Sequence, residues 1–153
     1  INAMCSVING GSYYQPHLVT EIRDSNGSTV KKIDPILMKQ TVSSEISTDI
    51  RSYMEASVQE GTSGTSKVQG YSSGGKTGTA ELDLRHPNHG LFVGYAPASD
   101  PEYAVAIRIA NGYSSGNACL IANDIFKYMY NLADKDSILT GIASTDTSDT
   151  SND

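Results

Sequence analysis

Gly74-Gly75-Lys76-Thr77-Gly78-Thr79-Ala80-Glu81 decides how this chain is read. Four small residues around Lys76 leave little to bury, so these positions suit a strand that another backbone approaches closely. Thr77 and Thr79 stand two residues apart, which puts both hydroxyls on one side of such a strand, with Gly78 bare between them. Two further runs follow: Gly90-Leu91-Phe92-Val93-Gly94-Tyr95-Ala96-Pro97 and Tyr103-Ala104-Val105-Ala106-Ile107-Arg108-Ile109. Strands are predicted over 73–80, 90–96 and 103–109. The short Pro/Ser/Asp loop between the last two favours antiparallel pairing.

Working outward, Ile46, Ile50, Tyr53, Met54 and Val58 recur at helical spacing after Ser43 and Ser44, either of which can cap a helix, and Gly61 closes the run. Upstream, His17 to Arg23 and Ser28 to Ile33 flank Asp24-Ser25-Asn26-Gly27 and predict a hairpin, which Pro35 ends. Ile1, Met4, Cys5 and Ile8 mark an opening helix stopped at Asn9-Gly10. It starts without a cap, as if an anchor and the front of a domain preceded it. Leu120, Ile121, Ile125, Tyr128, Met129 and Leu132 predict a last helix whose stripe needs cover. The fold class expected is α+β: a three-stranded antiparallel sheet packed with helices, plus a small hairpin, forming an incomplete domain over residues 1–133. From 134 to 153 Ser, Thr and Asp dominate, a composition that predicts a disordered tail, above all over 141–153.

Composition excludes several classes. The 153 residues carry a formal charge of -6 with scattered Lys and Arg, which argues against nucleic acid and against membrane contact by this chain. No apolar run reaches a bilayer-spanning length. Cys5 and Cys119 are too few for a disulfide framework or a zinc site and read as small buried hydrophobes. His86 and His89 flank Pro87 without a third ligand and read as solvated loop residues, so neither a metal nor a cofactor is expected. Of nine Tyr, Tyr71, Tyr95 and Tyr113 are candidates for a cleft.

Lys76-Thr77-Gly78 with these flanks resembles the Lys-Thr-Gly motif in the C-terminal half of the transpeptidase domain of penicillin-binding proteins. The resemblance extends over residues 1–132: Ile8-Asn9-Gly10-Gly11 leads into Gln15-Pro16-His17-Leu18-Val19 and then the hairpin, as in the high-molecular-weight members. Bifunctional members usually carry a Trp just after Lys-Thr-Gly-Thr. This chain has none, and is more similar to the monofunctional class B type.

The resemblance implies acyl transfer on the extracytoplasmic face of a bacterial membrane, with peptidoglycan stem peptides as substrates and β-lactam antibiotics as their mimics. It implies catalytic roles for Lys76 and Thr79 and substrate binding by Thr77, Gly78 and Thr79, the Thr79 N–H serving as one oxyanion donor. At an effective dielectric near 20, a charge pair about 4 Å apart is worth roughly 4 kcal/mol before desolvation, the scale on which Lys76 would act on a substrate carboxylate. The Ser-x-x-Lys nucleophile and the Ser-x-Asn motif of such sites lie upstream in the family, so the missing N-terminal part of the domain is an expected partner. Ser28-Thr29-Val30-Lys31 and Ser73-Gly74-Gly75-Lys76 match Ser-x-x-Lys only as text, since the motif needs a helix. Ser115-Gly116-Asn117 matches Ser-x-Asn out of order and reads as a turn. Two alternatives stand beside the transpeptidase: a serine β-lactamase or β-lactam sensor of the same fold, and a non-catalytic module that retains it.

Overall fold

The computed structural model describes residues 1–134 apart from Leu82 and Leu84. The expected Ser/Thr/Asp tail, from 135 on, lies outside the described residues. The chain divides into two compact units, one of residues 2–50 and one from Arg51 onward.

The first unit opens with helix α1, Asn2–Ile8, and carries four short strands: β1 Ser12–Tyr14, β2 Glu21–Arg23, β3 Thr29–Lys32 and β4 Leu37–Gln40. β2 and β3 form the predicted hairpin, antiparallel with Glu21 opposite Lys32. Its turn is held by Asp24, whose carboxylate accepts from the N–H groups of Asn26 and Ser28, both at 2.9 Å. Gly27 sits at φ 84, a conformation that a side chain disfavours. The strand starts four residues later than the apolar pattern from His17 suggests; Leu18 and Val19 lie exposed before it. A second antiparallel pair, β1 with β4, has no counterpart among the expected elements. Pro35 ends one strand as expected, and the chain resumes as β4 two residues later.

Helix α2, Ser44–Glu60, begins where the capping serines predict, with Ser43 Oγ accepting from the Ile46 N–H at 3.2 Å. Of its apolar positions Met54 and Val58 are buried, whereas Ile46 and Tyr53 are exposed.

In the second unit, a short 3-10 turn, Gly64–Ser66, leads to β5 Gly74–Ala80, β6 His89–Ala96, β7 Tyr103–Ile109 and helix α3 Ser115–Met129. The sheet is antiparallel in the order β5-β6-β7. Register places Thr77, Phe92 and Ile107 in one row and Lys76, Val93 and Ala106 in the next, on the opposite face. Phe92 joins Val68, Ala96, Ala118, Cys119, Ala122 and Phe126 in the core, with Val105, Ile107, Ile109 and Tyr130 packed against it.

The face of α3 that is buried differs from the expected one. Leu120, Ile121 and Tyr128 are exposed by 42–51%, while Ala118, Cys119, Ala122 and Phe126 are buried. Ala118, Cys119 and Ala122 face the sheet beside Phe92, with Phe126 filling the core a turn further on, and the helix start comes close to β6: a Cβ on Gly90 would stand 2.5 Å from the Ser114 carbonyl oxygen. Ser115-Gly116-Asn117 is likewise the first turn of α3 and not an irregular turn. Ser114 caps it by accepting from the Gly116 N–H at 3.1 Å, and Asn117 Nδ2 donates to the Gly112 carbonyl at 2.9 Å.

Candidate active site

The Lys-Thr-Gly residues occupy the middle of β5, one of the two outer strands of the sheet. Among the described residues the far side of β5 carries no paired strand, so its outward N–H and C=O groups are available to an extended ligand. Lys76 and Thr79 are exposed, and Thr77 and Gly78 are half-buried. The Lys76 ammonium donates to the carbonyl of Thr77 at 2.9 Å. Thr77 and Thr79 share the sheet face opposite Lys76, as their spacing predicts.

Lys76, Thr77 and Gly78 line a groove of about 390 Å³ floored by Leu91, Val93 and Ala106 and bounded by Arg108. Gly78 keeps it open, since a Cβ there would meet the Leu91 side chain at 3.3 Å. Thr79 is not among the lining residues. Two residues absent from the expected set thus belong to the neighbourhood. Arg108 brings a second cation to the Lys76 face, and Thr62 Oγ1 lies 3.0 Å from Thr77 Oγ1. Period-two counting along all three strands would have found Arg108. Nothing local marks Thr62, because its partner is fifteen residues away.

Other candidates change role. Tyr95 is fully buried, donates its hydroxyl to the Arg51 carbonyl at 2.9 Å, and belongs to the core instead of a cleft. Burial pushes its hydroxyl pKa up to about 12. Tyr71 stacks on Tyr130 with ring centroids 4.2 Å apart, and Tyr113 is exposed. His89 begins β6, where its Nδ1 accepts from the Asn111 N–H at 2.9 Å; it is not a loop residue. His86 is exposed in the β5–β6 connection and its Nδ1 meets Asp83 at 2.8 Å. That imidazole, with the Arg85 N–H, holds the Asp83 carboxyl below its usual range. Cys5 and Cys119 are both free thiols, Cys5 half-buried and Cys119 fully buried. Among the described residues no three His, Cys, Asp or Glu converge as metal ligands, and no helix is long and apolar enough to cross a membrane.

The two textual Ser-x-x-Lys matches are extended in the structure. Ser28 precedes β3 and Ser73 precedes β5, and in neither does a helix set the lysine one turn from the serine.

Comparison with known proteins identifies the family. The family model for the penicillin-binding protein transpeptidase domain matches residues 1–131. The chain belongs to that family. Its relatives group it with the class B penicillin-binding proteins. It is 40% identical over 117 residues to stage V sporulation protein D of Bacillus subtilis, covering 72% of this chain and 18% of the relative. It is 32% identical over 142 residues to the peptidoglycan D,D-transpeptidase MrdA of Acinetobacter baumannii, covering 82% and 21%. Among solved structures it superposes on the D,D-transpeptidase domain of a peptidoglycan glycosyltransferase from Eggerthella lenta with a TM-score of 0.73 and 32% identity, covering 82% of this chain and 30% of that one. Penicillin-binding protein A of Mycobacterium tuberculosis, solved as an imipenem acyl-enzyme complex, shares the fold at a TM-score of 0.74 and 22% identity, covering 84% and 29%. The chain therefore spans about a fifth of the length of the curated relatives it matches.

Proposed function

We propose that this chain supplies the substrate-binding strand of a peptidoglycan D,D-transpeptidase that works through a serine acyl-enzyme. The observation that carries the reading is the edge position of β5: Lys76, Thr77 and Thr79 lie on a strand whose outer side is unpaired among the described residues. A stem peptide pairs along the outer edge of this strand, where its terminal carboxylate lies between the Lys76 charge, held at the Thr77 carbonyl, and the threonine hydroxyls of the other face, while the Thr79 N–H donates to the developing oxyanion. The nucleophile is a serine contributed by the remainder of the domain. Its oxygen attacks the penultimate D-Ala carbonyl, the terminal D-Ala leaves as the amine, and an amine on a neighbouring stem displaces the serine to form the cross-link. A β-lactam enters the same site and leaves the serine acylated. The relatives' role in peptidoglycan chemistry supports an extracytoplasmic, membrane-anchored parent.

Fluorescent penicillin tests the reading. In the full-length protein that contains this segment, Lys76→Ala slows acylation roughly ten- to hundredfold, the scale of one lost charge-assisted contact, whereas Lys67→Ala leaves it unchanged. The segment alone takes no covalent label. Equal rates for wild type and Lys76→Ala would remove the strand from the site, and stoichiometric labelling of the segment at Ser28, Ser73 or Ser115 would place the nucleophile within it.

A further inference from the structure

The loop after α2 is built to hold one exposed hydroxyl against β5. The N–H groups of Gly61 and Ser63 both donate to the Ser57 carbonyl at 3.1 Å, and Ser57 Oγ donates to Ser63 Oγ at 2.9 Å. Ser66 Oγ closes on the Ser63 carbonyl at 2.7 Å, and Asn123 Nδ2 of α3 ties down the Lys67 carbonyl at 2.6 Å. Ser63 and Ser66 are fully buried. Thr62, between these anchors, is exposed and brings its hydroxyl to 3.0 Å from that of Thr77.

Two hydroxyls in contact own two protons, and their mutual hydrogen bond uses one. If Thr77 donates to Thr62, an anion beside Thr77 meets only lone pairs. If Thr62 donates to Thr77, the Thr77 proton points outward, and the chain Thr62 to Thr77 to anion polarises each bond in turn. An arriving carboxylate selects the second arrangement. The backbone of Thr77 is fixed at the same time by β6 and by Lys76 on its carbonyl, so the hydroxyl rotor is the degree of freedom left to set.

We propose that Thr62 is a positioning residue for carboxylate recognition: it donates into Thr77 Oγ1 and so directs the Thr77 proton at the carboxylate of a bound β-lactam or stem peptide. This rests on the reading of Lys76-Thr77-Gly78-Thr79 as the carboxylate-binding strand.

The test compares acylation of the full-length protein by benzylpenicillin and by its methyl ester, which lacks the charge. Thr62→Val is expected to lose about tenfold in acylation efficiency with the acid and little with the ester, the size of one hydrogen bond to a charged partner. Thr62→Ser restores the rate, and the Thr62→Val/Thr77→Val double variant is no worse than Thr77→Val. Thr62→Ala repeats the deletion if valine disturbs the loop, with melting temperature as the check on folding. An equal loss for acid and ester would make Thr62 a structural residue and overturn the proposal. Wild-type rates in Thr62→Val beside impaired Lys76→Ala and Thr77→Val variants would overturn it while leaving the proposed function standing. Wild-type rates in all three would overturn both.

Discussion

The two units of this chain reach order by different physics. From Arg51 onward, seven- and eight-residue strands bury Phe92 and Ala96 against a helix whose Ala118, Cys119, Ala122 and Phe126 are fully enclosed, and Tyr95 is buried as well. In residues 2–50 the strands have three or four residues, and every position of β3 and β4 is exposed. There the ordering falls to polar side chains. Gln40 Nε2 donates to the carbonyls of Gly10 at 2.6 Å and Val42 at 3.0 Å, the Gly10 N–H donates to Ser47 Oγ at 3.0 Å, and Asn9 and Ser12 bond each other reciprocally. Burial of an aromatic side chain contributes several kcal/mol, and one hydrogen bond contributes about one. The strand carrying Lys76 is thus braced by the stiffer part of the chain, which is what a site needing its groups held to within about half an ångström demands.

The sharpest way to break that contrast is to hollow the core. Phe92 is 1% exposed, and Phe92→Ala is expected to cost about 3–5 kcal/mol in urea unfolding. Val30→Ala in the hairpin, at a position 66% exposed, should change stability by less than about 0.5 kcal/mol. Comparable losses from the two would mean that the hairpin, too, is held by a packed core.

A smaller effect comes from the polar unit. Gln40→Ala removes both carbonyl contacts and should cost about 1–2 kcal/mol locally. Amide hydrogen exchange reads it directly: protection at β1 and β4 falls while that at β5, β6 and β7 stays. Equal loss of protection in both regions would show that they open as one cooperative body.

The same division explains what was legible in the residues. The strands around Lys76 announce themselves because a buried sheet face forces alternation, and α2 because Ser43 and Gly61 bracket its apolar repeat. The β1–β4 pair leaves no such trace: its members are short and more than twenty residues apart, β4 is exposed throughout and β1 has no buried position, so no alternation is imposed on them. In α3 the stripe of large apolar residues misled: the face set against Phe92 carries Ala118, Cys119, Ala122 and Phe126, and Leu120 and Ile121 are left outside. At the site, Lys76, Thr77 and Gly78 were readable as a motif and do come together along one strand. Thr62 was not, because a hydroxyl pair across fifteen residues is a product of tertiary structure.

The smallest expected effect sharpens the picture of the stiff unit from within. Tyr95 is enclosed, and its hydroxyl donates to the Arg51 carbonyl, so ionising it would strand a phenolate in an apolar site and break that bond. Its pKa accordingly stands near 12 in the fold, against about 10 in the unfolded chain. Below pH 10 both states keep the proton, and stability does not depend on this group. Between pH 10 and 12 the unfolded chain loses the proton first, binds fewer protons than the folded state, and gains population, so this contribution to stability declines as pH rises. Tyr95→Phe should cost about 1 kcal/mol at neutral pH for the lost hydrogen bond, yet show a shallower decline above pH 10. The two unfolding curves therefore converge in alkali. Parallel curves up to pH 12 would mean that the Tyr95 hydroxyl reaches solvent, and that the sheet behind Lys76 is less tightly closed than its packing indicates.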